Sequence, residues 1–174
     1  MKKGIIFMAL AFLSVGLFAQ GEVITSYFNK YADNDQFTKV SVSSKMFSMF
    51  TEMEAGTEAE QEFLEAVSKL KGLKMVMADS IGDAVTLFKK ASSDINKAGY
   101  AELMTVADPD QNMLFSIKEN NGIIEELVMV VGGGNKFVLL SLYGEIDLKN
   151  ISRIARDMKV QGLEDLGRMH HDNK

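Results

Sequence analysis

The sequence predicts an α+β fold: a mixed or antiparallel sheet of about five to six strands, packed with several helices. Two early units that each pair a strand pattern with a helix pattern support this class. Four strand-like segments follow between residues 100 and 143, and helical periodicity returns after Gly144. Separation of strands and helices along a chain is typical of α+β domains, in which helices pack on one face or end of an antiparallel sheet.

The first unit lies between residues 22 and 53. A spacing of four places Val23, Tyr27 and Tyr31 on one side of a helix predicted over residues 22–31. Alternation predicts a short strand over residues 37–42. A second helical stripe follows, and we expect its apolar members to face the core. They are Met46, Met49, Phe50 and Met53.

The second unit begins with a helix start signal at Thr57. Thr57 and Glu60 have the spacing of a capping box, in which each side chain bonds the backbone amide of the other residue. A strand is predicted over residues 73–78, followed by a helix that starts at Ser80 or Asp83 and runs from there through residue 97 to Gly99. The core face of the Thr57 helix would be Phe63, Leu64, Val67 and Leu70.

Turn chemistry divides the segment from residue 100 to residue 143 into a four-stranded meander. The turns have the sequences Asp-Pro-Asp at 108–110, Asn-Asn-Gly at 120–122 and Gly-Gly-Gly-Asn at 132–135. Short connections of this kind join antiparallel hairpins, and Asn-Gly is the strongest such signal. The last two strands, over 123–131 and 137–142, are apolar on both faces for much of their length. We expect both to be central, with helices on each side or with one face buried in a partner.

Helical periodicity returns after the meander. Asp147 is expected to cap a helix, because a short polar side chain can accept a bond from the first free amides. Four apolar residues would share one face of that helix: Leu148, Ile151, Ala155 and Met158. A last helix would carry Leu163, Leu166 and Met169.

The first 19 residues have the pattern of a cleavable secretory signal peptide. Lysines at positions 2 and 3 precede an apolar run over residues 5–18, and Ala19 precedes the polar Gln20. The run is shorter than the roughly 20 residues that a membrane-spanning helix needs. We expect cleavage after Ala19, which leaves one α+β domain over residues 20–174 without a transmembrane segment. This domain is expected in the periplasm or outside the cell. An uncleaved N-terminal anchor is the alternative.

The composition limits the classes of partner and chemistry. The chain has no cysteine, which excludes a lipoprotein anchor, a disulfide, a thiolate metal site and a cysteine nucleophile. Without the leader, 17 basic residues stand against 24 acidic ones, a net charge of about −7. This balance disfavours nucleic acid as a partner, because phosphate backbones require a cationic surface. It equally disfavours electrostatic docking on anionic lipid.

The end of the meander carries a resemblance to a known family. The residues concerned are the run FVLLSLYGEIDL at 137–148 and its continuation ISRIA at 151–155. This segment, and the layout of the whole chain, is similar to the exported bacterial family catalogued as domain of unknown function 4252. The resemblance implies this fold and an envelope protein, and it supplies no catalytic residues. Many members look like lipoproteins, whereas a chain without cysteine would be soluble after cleavage.

The sharpest local motif lies at the first meander turn. Asp108, Asp110 and Asn112, with Glu119 at the twelfth position, reproduce the pattern of a calcium-binding loop. Met113 stands at the sixth position, where the backbone of such a loop needs glycine. The flanking residues have strand patterns, and a straight strand cannot bring its own side chains around one ion. We therefore favour a hairpin turn over a calcium site.

Other candidate sites have simpler interpretations. The glycines at 132–134 lack the Lys-Ser/Thr pair and the following helix of a phosphate loop. His170 and His171, beside Asp172, lie near the chain end and favour a solvated tail over a metal site or a catalytic base. Methionine groups, including Met75 and Met77, could bind copper(I) but are more typical of a core. The carboxylate pairs at 108/110, 125/126 and 145/147 show no acid–base tuning.

We therefore assign no catalytic, cofactor-binding or metal-binding residue from the sequence. The expected function is that of a non-enzymatic, exported cell-envelope protein that binds another protein or assembles with itself. The physical reason is the excess of apolar residues on the meander strands, since a face without helices must be covered by something else. The alternative is a periplasmic binder of a small apolar ligand in a Met/Phe-lined cavity between sheet and helices. An enzyme that hydrolyses with carboxylates alone ranks third.

Overall fold

The computed structural model describes residues 22–52 and 55–147, which form a six-stranded antiparallel sheet with helices. The strand order is β1-β2-β6-β5-β4-β3, and all neighbours are antiparallel. The α+β prediction is confirmed. In chain order the elements are α1 (Glu22–Lys30), β1 (Thr38–Ser43), α2 (Ser44–Phe50), α3 (Glu58–Ser68), β2 (Leu70–Ala78), α4 (Ala84–Lys97), β3 (Ala101–Ala107), β4 (Gln111–Asn120), β5 (Ile123–Gly133) and β6 (Lys136–Ile146).

The four-stranded meander is confirmed as β3 to β6, with β5 and β6 in central positions. Asn121 and Gly122 turn between β4 and β5 with φ values of 52° and 80°, as a two-residue hairpin requires. The glycine-rich turn is shorter than expected. Gly132 and Gly133 lie within β5, and Gly134 and Asn135 alone make the turn to β6. The reason is the paired register, in which Gly133 lies opposite Lys136.

β2 joins the early part of the chain to the meander, because it pairs with β6 on one side and β1 on the other. It starts three residues earlier than the apolar pattern indicated, at Leu70, which therefore belongs to this strand and not to α3. Gly144 lies opposite Leu70 with φ 144°, and a side chain there would meet the backbone at Lys69 and Leu70. The two strands approach closely at this point because residue 144 is glycine.

One face of the sheet is covered by α1 and α4. α1 supplies Val23, Ile24 and Tyr27 to the main core. α4 supplies Ala84, Leu87, Ala91 and Ile95. The central strands contribute Val76, Val128, Val130, Phe137 and Leu139. α4 approaches β5 directly at Gly132, where a Cβ atom would meet the Phe88 Cβ and the Ala84 carbonyl. The glycine therefore sets the distance between helix and sheet.

The two short helices after β1 differ in part from expectation. The capping box of Thr57 and Glu60 is confirmed at the start of α3. The predicted core stripe is wrong at Met46 and Met49, which are 49% and 58% exposed. Its other two members, the Phe50 side chain and Met53, lie outside what the structure describes. α2 has only seven residues and packs through Phe47, which lies on a different side of the helix.

On α3, too, fewer residues are buried than the apolar pattern predicted. Val67 is buried, Leu64 is half-buried, and Phe63 remains 37% exposed. The helix packs chiefly on α2 at the end of the sheet, so one side of its predicted apolar stripe has no strand beneath it. None of the helices in the described part of the chain is both long and apolar enough to cross a membrane.

Candidate interaction surface on the sheet

The sheet face opposite α1 and α4 is apolar from one edge strand to the other. The strand register aligns its side chains in three rows that cross all six strands, since directly paired residues point to the same face. The rows, from β1 to β3, are Val42-Leu73-Leu142-Leu127-Ile117-Ala101, then Val40-Met75-Leu140-Met129-Phe115-Met104, then Thr38-Met77-Val138-Val131-Met113-Val106. Thr38 is the single polar member. We call this surface the methionine face.

The methionine content of the surface is specific to that side of the sheet. Every methionine of the described strands lies on it: Met75, Met77, Met104, Met113 and Met129. All five are half-buried. Met75 and Met77 share one face of β2. The methionines lie on the face away from α1 and α4, which pack on the other side of the sheet.

The helix-covered face has a different pattern at its edges. Its central row begins at Lys39 on β1 and ends at Thr105 on β3, and the next row begins at Ser41 and ends at Glu102. The central row is apolar between its polar ends, whereas the next row also has the polar residues Lys74, Ser141 and Ser116 at its centre. On the methionine face Thr38 is the one polar edge residue, so the apolar surface extends almost from one edge strand to the other.

Part of this face is covered at one end by α2. Phe47 packs against the buried cluster of Leu70, Ile117, Leu127, Leu142 and Ile146, to which the first row contributes three members. Leu140 of the middle row also packs against that cluster. Phe115 of the same row is fully buried, whereas Val106 is 40% exposed at the β3 edge. Six strands spaced about 4.8 Å apart make the face roughly 24 Å wide, and three rows make it roughly 14 Å high. A surface of that size fits one helix or two strands of a protein partner.

A buried carboxylate lies on the opposite, helix-covered side. Glu126 is fully buried, and it accepts hydrogen bonds from Tyr100 Oη at 2.7 Å and from Ser141 Oγ at 2.6 Å. The sequence analysis did not identify this residue, although alternate residues of a strand point to the same face. Glu126 therefore shares the helix-covered face of β5 with Val128 and Val130. Because both oxygens are bound and none of the side chain reaches solvent, the group holds the end of α4 to β5 and β6. It is not placed to act on a substrate.

A groove lies between α4 and the edge strand β3. Its volume is about 470 Å³, and its walls include Ser92, Thr105 and Ser116 beside Phe88 and Leu114. The Ser92 hydroxyl is buried in this region with no hydrogen-bond partner. Among the described residues that line the groove there is one phenylalanine and no methionine. The groove therefore differs in chemistry from the Met/Phe-lined cavity that the sequence suggested as an alternative site.

The calcium-loop pattern forms a hairpin turn. The Asp108 carboxylate accepts hydrogen bonds from the backbone amides of Asp110 and Gln111, at 2.9 and 2.6 Å, and its own amide donates to the Gln111 carbonyl. Glu119 lies near the other end of the ten-residue strand β4. At about 3.4 Å per residue the two ends are roughly 30 Å apart, so these carboxylates cannot share one ion. The expected turn is confirmed.

The carboxylates at 145 and 147 lie in an acidic hollow at the end of β6. Its lining includes Glu62, Glu65, Glu145 and Asp147 around Lys69. Lys69 Nζ lies 3.3 Å from Glu145, and this contact raises the pKa of the lysine. Lys69 forms surface ion pairs with Glu65 and Glu145, and such exposed pairs contribute little to stability on their own.

Several sequence predictions lie outside the described residues. These are the signal peptide over 1–19, the helices after residue 147, and the histidine tail at 170–171.

Comparison with known proteins gives one match. A family model described as a domain of unknown function (DUF4252) matches residues 31–154 of the chain. The matched region includes all six strands. No curated protein and no solved structure matches the chain.

Proposed function

The chain belongs to the DUF4252 family, and we propose that this member is a non-enzymatic cell-envelope protein that binds a protein segment on its methionine face. The observation that carries the proposal is the three-row apolar register, in which 17 of the 18 paired positions are apolar. A soluble monomer rarely leaves a continuous apolar patch above a few hundred Å² in water. Thirteen of the 18 members retain some exposure, so a cover for the face is favoured. The other five are buried within the domain: Leu142, Leu127, Ile117, Phe115 and Val131.

The side chains of the face suit an adaptable protein contact. Methionine is unbranched and polarisable, and it fits partners of irregular shape better than valine or isoleucine. Complete burial of each such side chain contributes about 1.5–3 kcal/mol relative to its exposed state. Because Met104, Met113 and Met129 are already half-buried, covering these three alone would not offset an association cost of roughly 4–15 kcal/mol. A partner must therefore cover further apolar members of the rows.

Export to the envelope is the second part of the proposal. It rests on the basic start, the apolar run over residues 5–18 and the Ala19-Gln20 junction. Fractionation of the native host followed by intact-mass measurement tests it. The expected species begins at Gln20 and lies in the periplasmic or external fraction. A full-length chain in the cytosol would contradict it.

Two substitutions on the face test the binding function. Met129→Glu places a charge in the middle row, and Val106→Glu places one at the exposed edge, where folding is least at risk. Met49→Glu on α2 is the matched control, because Met49 is 58% exposed and lies off the face. The readout is chemical cross-linking in the native envelope, with the size and composition of each adduct measured after purification.

The wild type is expected to form a defined complex, with itself or with another protein. Both face variants should reduce that complex at least tenfold, while Met49→Glu should leave it unchanged. Thermal unfolding of each variant checks that the fold is retained. A wild type without any adduct, or a Val106→Glu variant that keeps the wild-type adduct, would contradict the proposal.

A small-ligand site in the groove beside α4 is the second candidate. The observation in its favour is the buried Ser92 hydroxyl without a partner, which a ligand atom could satisfy. Native mass spectrometry of the protein purified from its host tests this function. A bound small molecule that is lost in Ser92→Leu but kept in Thr86→Leu would favour the groove, because Thr86 is exposed on α4 and does not line it. A ligand-free wild type would count against it.

A further inference from the structure

We infer that the resting occupant of the methionine face is residues 148–160 of the same chain, so that any external partner must displace them. This inference rests on the proposed function, because it requires the face to bind an amphipathic protein segment. Three features of the described residues and of the sequence support it: the point where the chain leaves the sheet, the length and pattern of the segment, and its charge.

The chain leaves the sheet on the side of the methionine face. β6 is a central strand and ends at Ile146, which packs in the cluster with Leu127 and Leu142 of the first row. Gly144, with φ 144°, allows the backbone to bend just before this point. Residue 148 therefore follows directly from the edge of the first row, and no linker is needed to reach the face.

The segment has the length and the apolar pattern of a cover. Its 13 residues would span about 20 Å as a helix, enough to cross from β6 over β5 and β4 to the β3 edge, which is roughly 14 Å away. Leu148, Ile151, Ala155 and Met158 would lie on one side of that helix. Arg153 would lie on the opposite side. One side therefore matches the apolar rows and the other suits water.

The charges of the segment and of the domain are complementary. Residues 148–160 contain four basic residues and one acidic residue, whereas residues 22–147 contain 11 basic and 20 acidic ones. The acidic hollow of Glu62, Glu65 and Glu145 lies where the chain leaves β6. A basic segment beside an acidic surface is attracted to it before the apolar side chains make contact.

Attachment to the domain gives the segment an advantage over a free partner. A short tether corresponds to an effective concentration in the millimolar range. An external segment of similar chemistry must therefore bind more tightly, or at high local concentration, to replace it. The face would then respond to specific partners and remain protected from non-specific apolar contacts.

Engineered cysteine pairs test the assignment in the complete mature protein, because the chain contains no cysteine of its own. Met129→Cys is combined with Ile151→Cys or with Ala155→Cys, and a short bismaleimide is added at several protein concentrations. The matched control pairs Met129→Cys with Arg153→Cys, on the opposite side of the expected helix. A second control pairs Thr105→Cys, on the helix-covered face, with Ala155→Cys. Thermal unfolding of each unreacted variant checks the fold.

The expected result is a cross-link within one chain at positions 151 and 155, at least tenfold more efficient than in either control and independent of protein concentration. Cross-linked dimers that increase with concentration would overturn the assignment, because the occupant would be the segment of a second copy. Rapid labelling of the thiol introduced at position 129, with no cross-link, would also overturn it. That outcome would leave the proposed function intact, because the Met129→Glu adduct experiment judges it separately.

Discussion

The ring of Tyr143 occupies the space that a side chain at Gly72 would need, directly across the pairing of β2 with β6. Gly72 is buried, and a Cβ atom there would meet the phenol ring and its oxygen. The glycine removes one side chain from the ladder, and the tyrosine covers the backbone in its place. This contact fixes the register by which the early strands join the meander.

Gly72→Ala is expected to lower the free energy of unfolding by about 1–3 kcal/mol, the usual cost of excess volume in a packed site. Urea unfolding measures it. Gly82→Ala is the matched control, because no atom outside its neighbours lies within 4 Å of a Cβ built there. The control should be close to neutral or slightly stabilising. Equal effects of the two substitutions would show that the Tyr143 contact is unimportant.

The bond between Tyr100 and the buried Glu126 should be a major contributor to stability. Tyr100→Phe removes a hydroxyl donor to a carboxylate that has no exposed surface. The expected loss is about 1.5–3 kcal/mol in the free energy of unfolding, the range for hydrogen bonds to charged groups. Tyr143→Phe, which removes a hydroxyl elsewhere on the sheet, should cost less. If the two variants unfold at the same denaturant concentration, the network has been misassigned.

The contact between α1 and α4 should make stability depend on acid pH. Lys90 Nζ lies 2.9 Å from Asp94 Oδ2, and Tyr27 Oη donates to the same oxygen at 3.0 Å. The bond from Lys90, assisted by that from Tyr27, lowers the pKa of Asp94 below its usual range although partial burial opposes this. The folded state therefore favours the carboxylate, and its contribution is present above about pH 4 and lost as the pH falls through the lowered pKa.

Asp94→Asn should remove that contribution. Its unfolding free energy should be lower than that of the wild type at pH 6 by about 1 kcal/mol, and the difference should shrink between pH 4 and pH 2. Denaturant unfolding at each pH is the measurement. Asp83→Asn is the control, since its side chain makes no capping bond to α4. A difference that stayed constant down to pH 2 would exclude Asp94 as the titrating group.

The same contact has an alkaline counterpart. Burial, and then the bond to Asp94, raise the pKa of Tyr27 well above its usual range. The neutral phenol is thus favoured in the folded state, so its contribution is complete below about pH 10 and is lost as the pH rises through the raised pKa. Tyr27→Phe should flatten the loss of stability above pH 10. Ultraviolet titration of the phenolate follows this, and a Tyr27 that ionised near pH 10 in the folded protein would refute it.

The strand pattern was the most predictable part of the fold. Turn residues with positive φ, such as Asn121 and Gly122, have few alternatives, and strands that are apolar on both faces must be central. The pairing of β2 with β6 was not predictable, because it joins residues about 70 positions apart and leaves no local signal. The start of β2 at Leu70 depends on the same pairing.

Burial on the short helices was predicted less well. A helical stripe identifies a side that can be buried, but the position of the neighbours decides which side is used. On α2 that side is Phe47, and Met46 and Met49 remain in water. The burial of Glu126 escaped notice for a similar reason, since a charged residue in a strand pattern is usually exposed. Its hydrogen bonds with Tyr100 and Ser141 account for it.

The sequence predicted that the sheet has an apolar surface but did not show where that surface lies. The sequence indicated that a sheet face without helices needs a cover, but not which face this is. The parity that collects Met75, Met113 and Met129 on one side became visible only when the register was known.

Oxidation of methionine in the native envelope tests the central claim most directly, with Met129 compared with Met49 in the same molecule. Both rates are measured by peptide mass spectrometry after brief peroxide treatment and are divided by those of the unfolded chain. If the methionine face is covered by a protein segment, Met129 should oxidise at least tenfold more slowly than Met49, which is exposed on α2. Equal rates at the two positions would show that the face is open to water and would contradict the account.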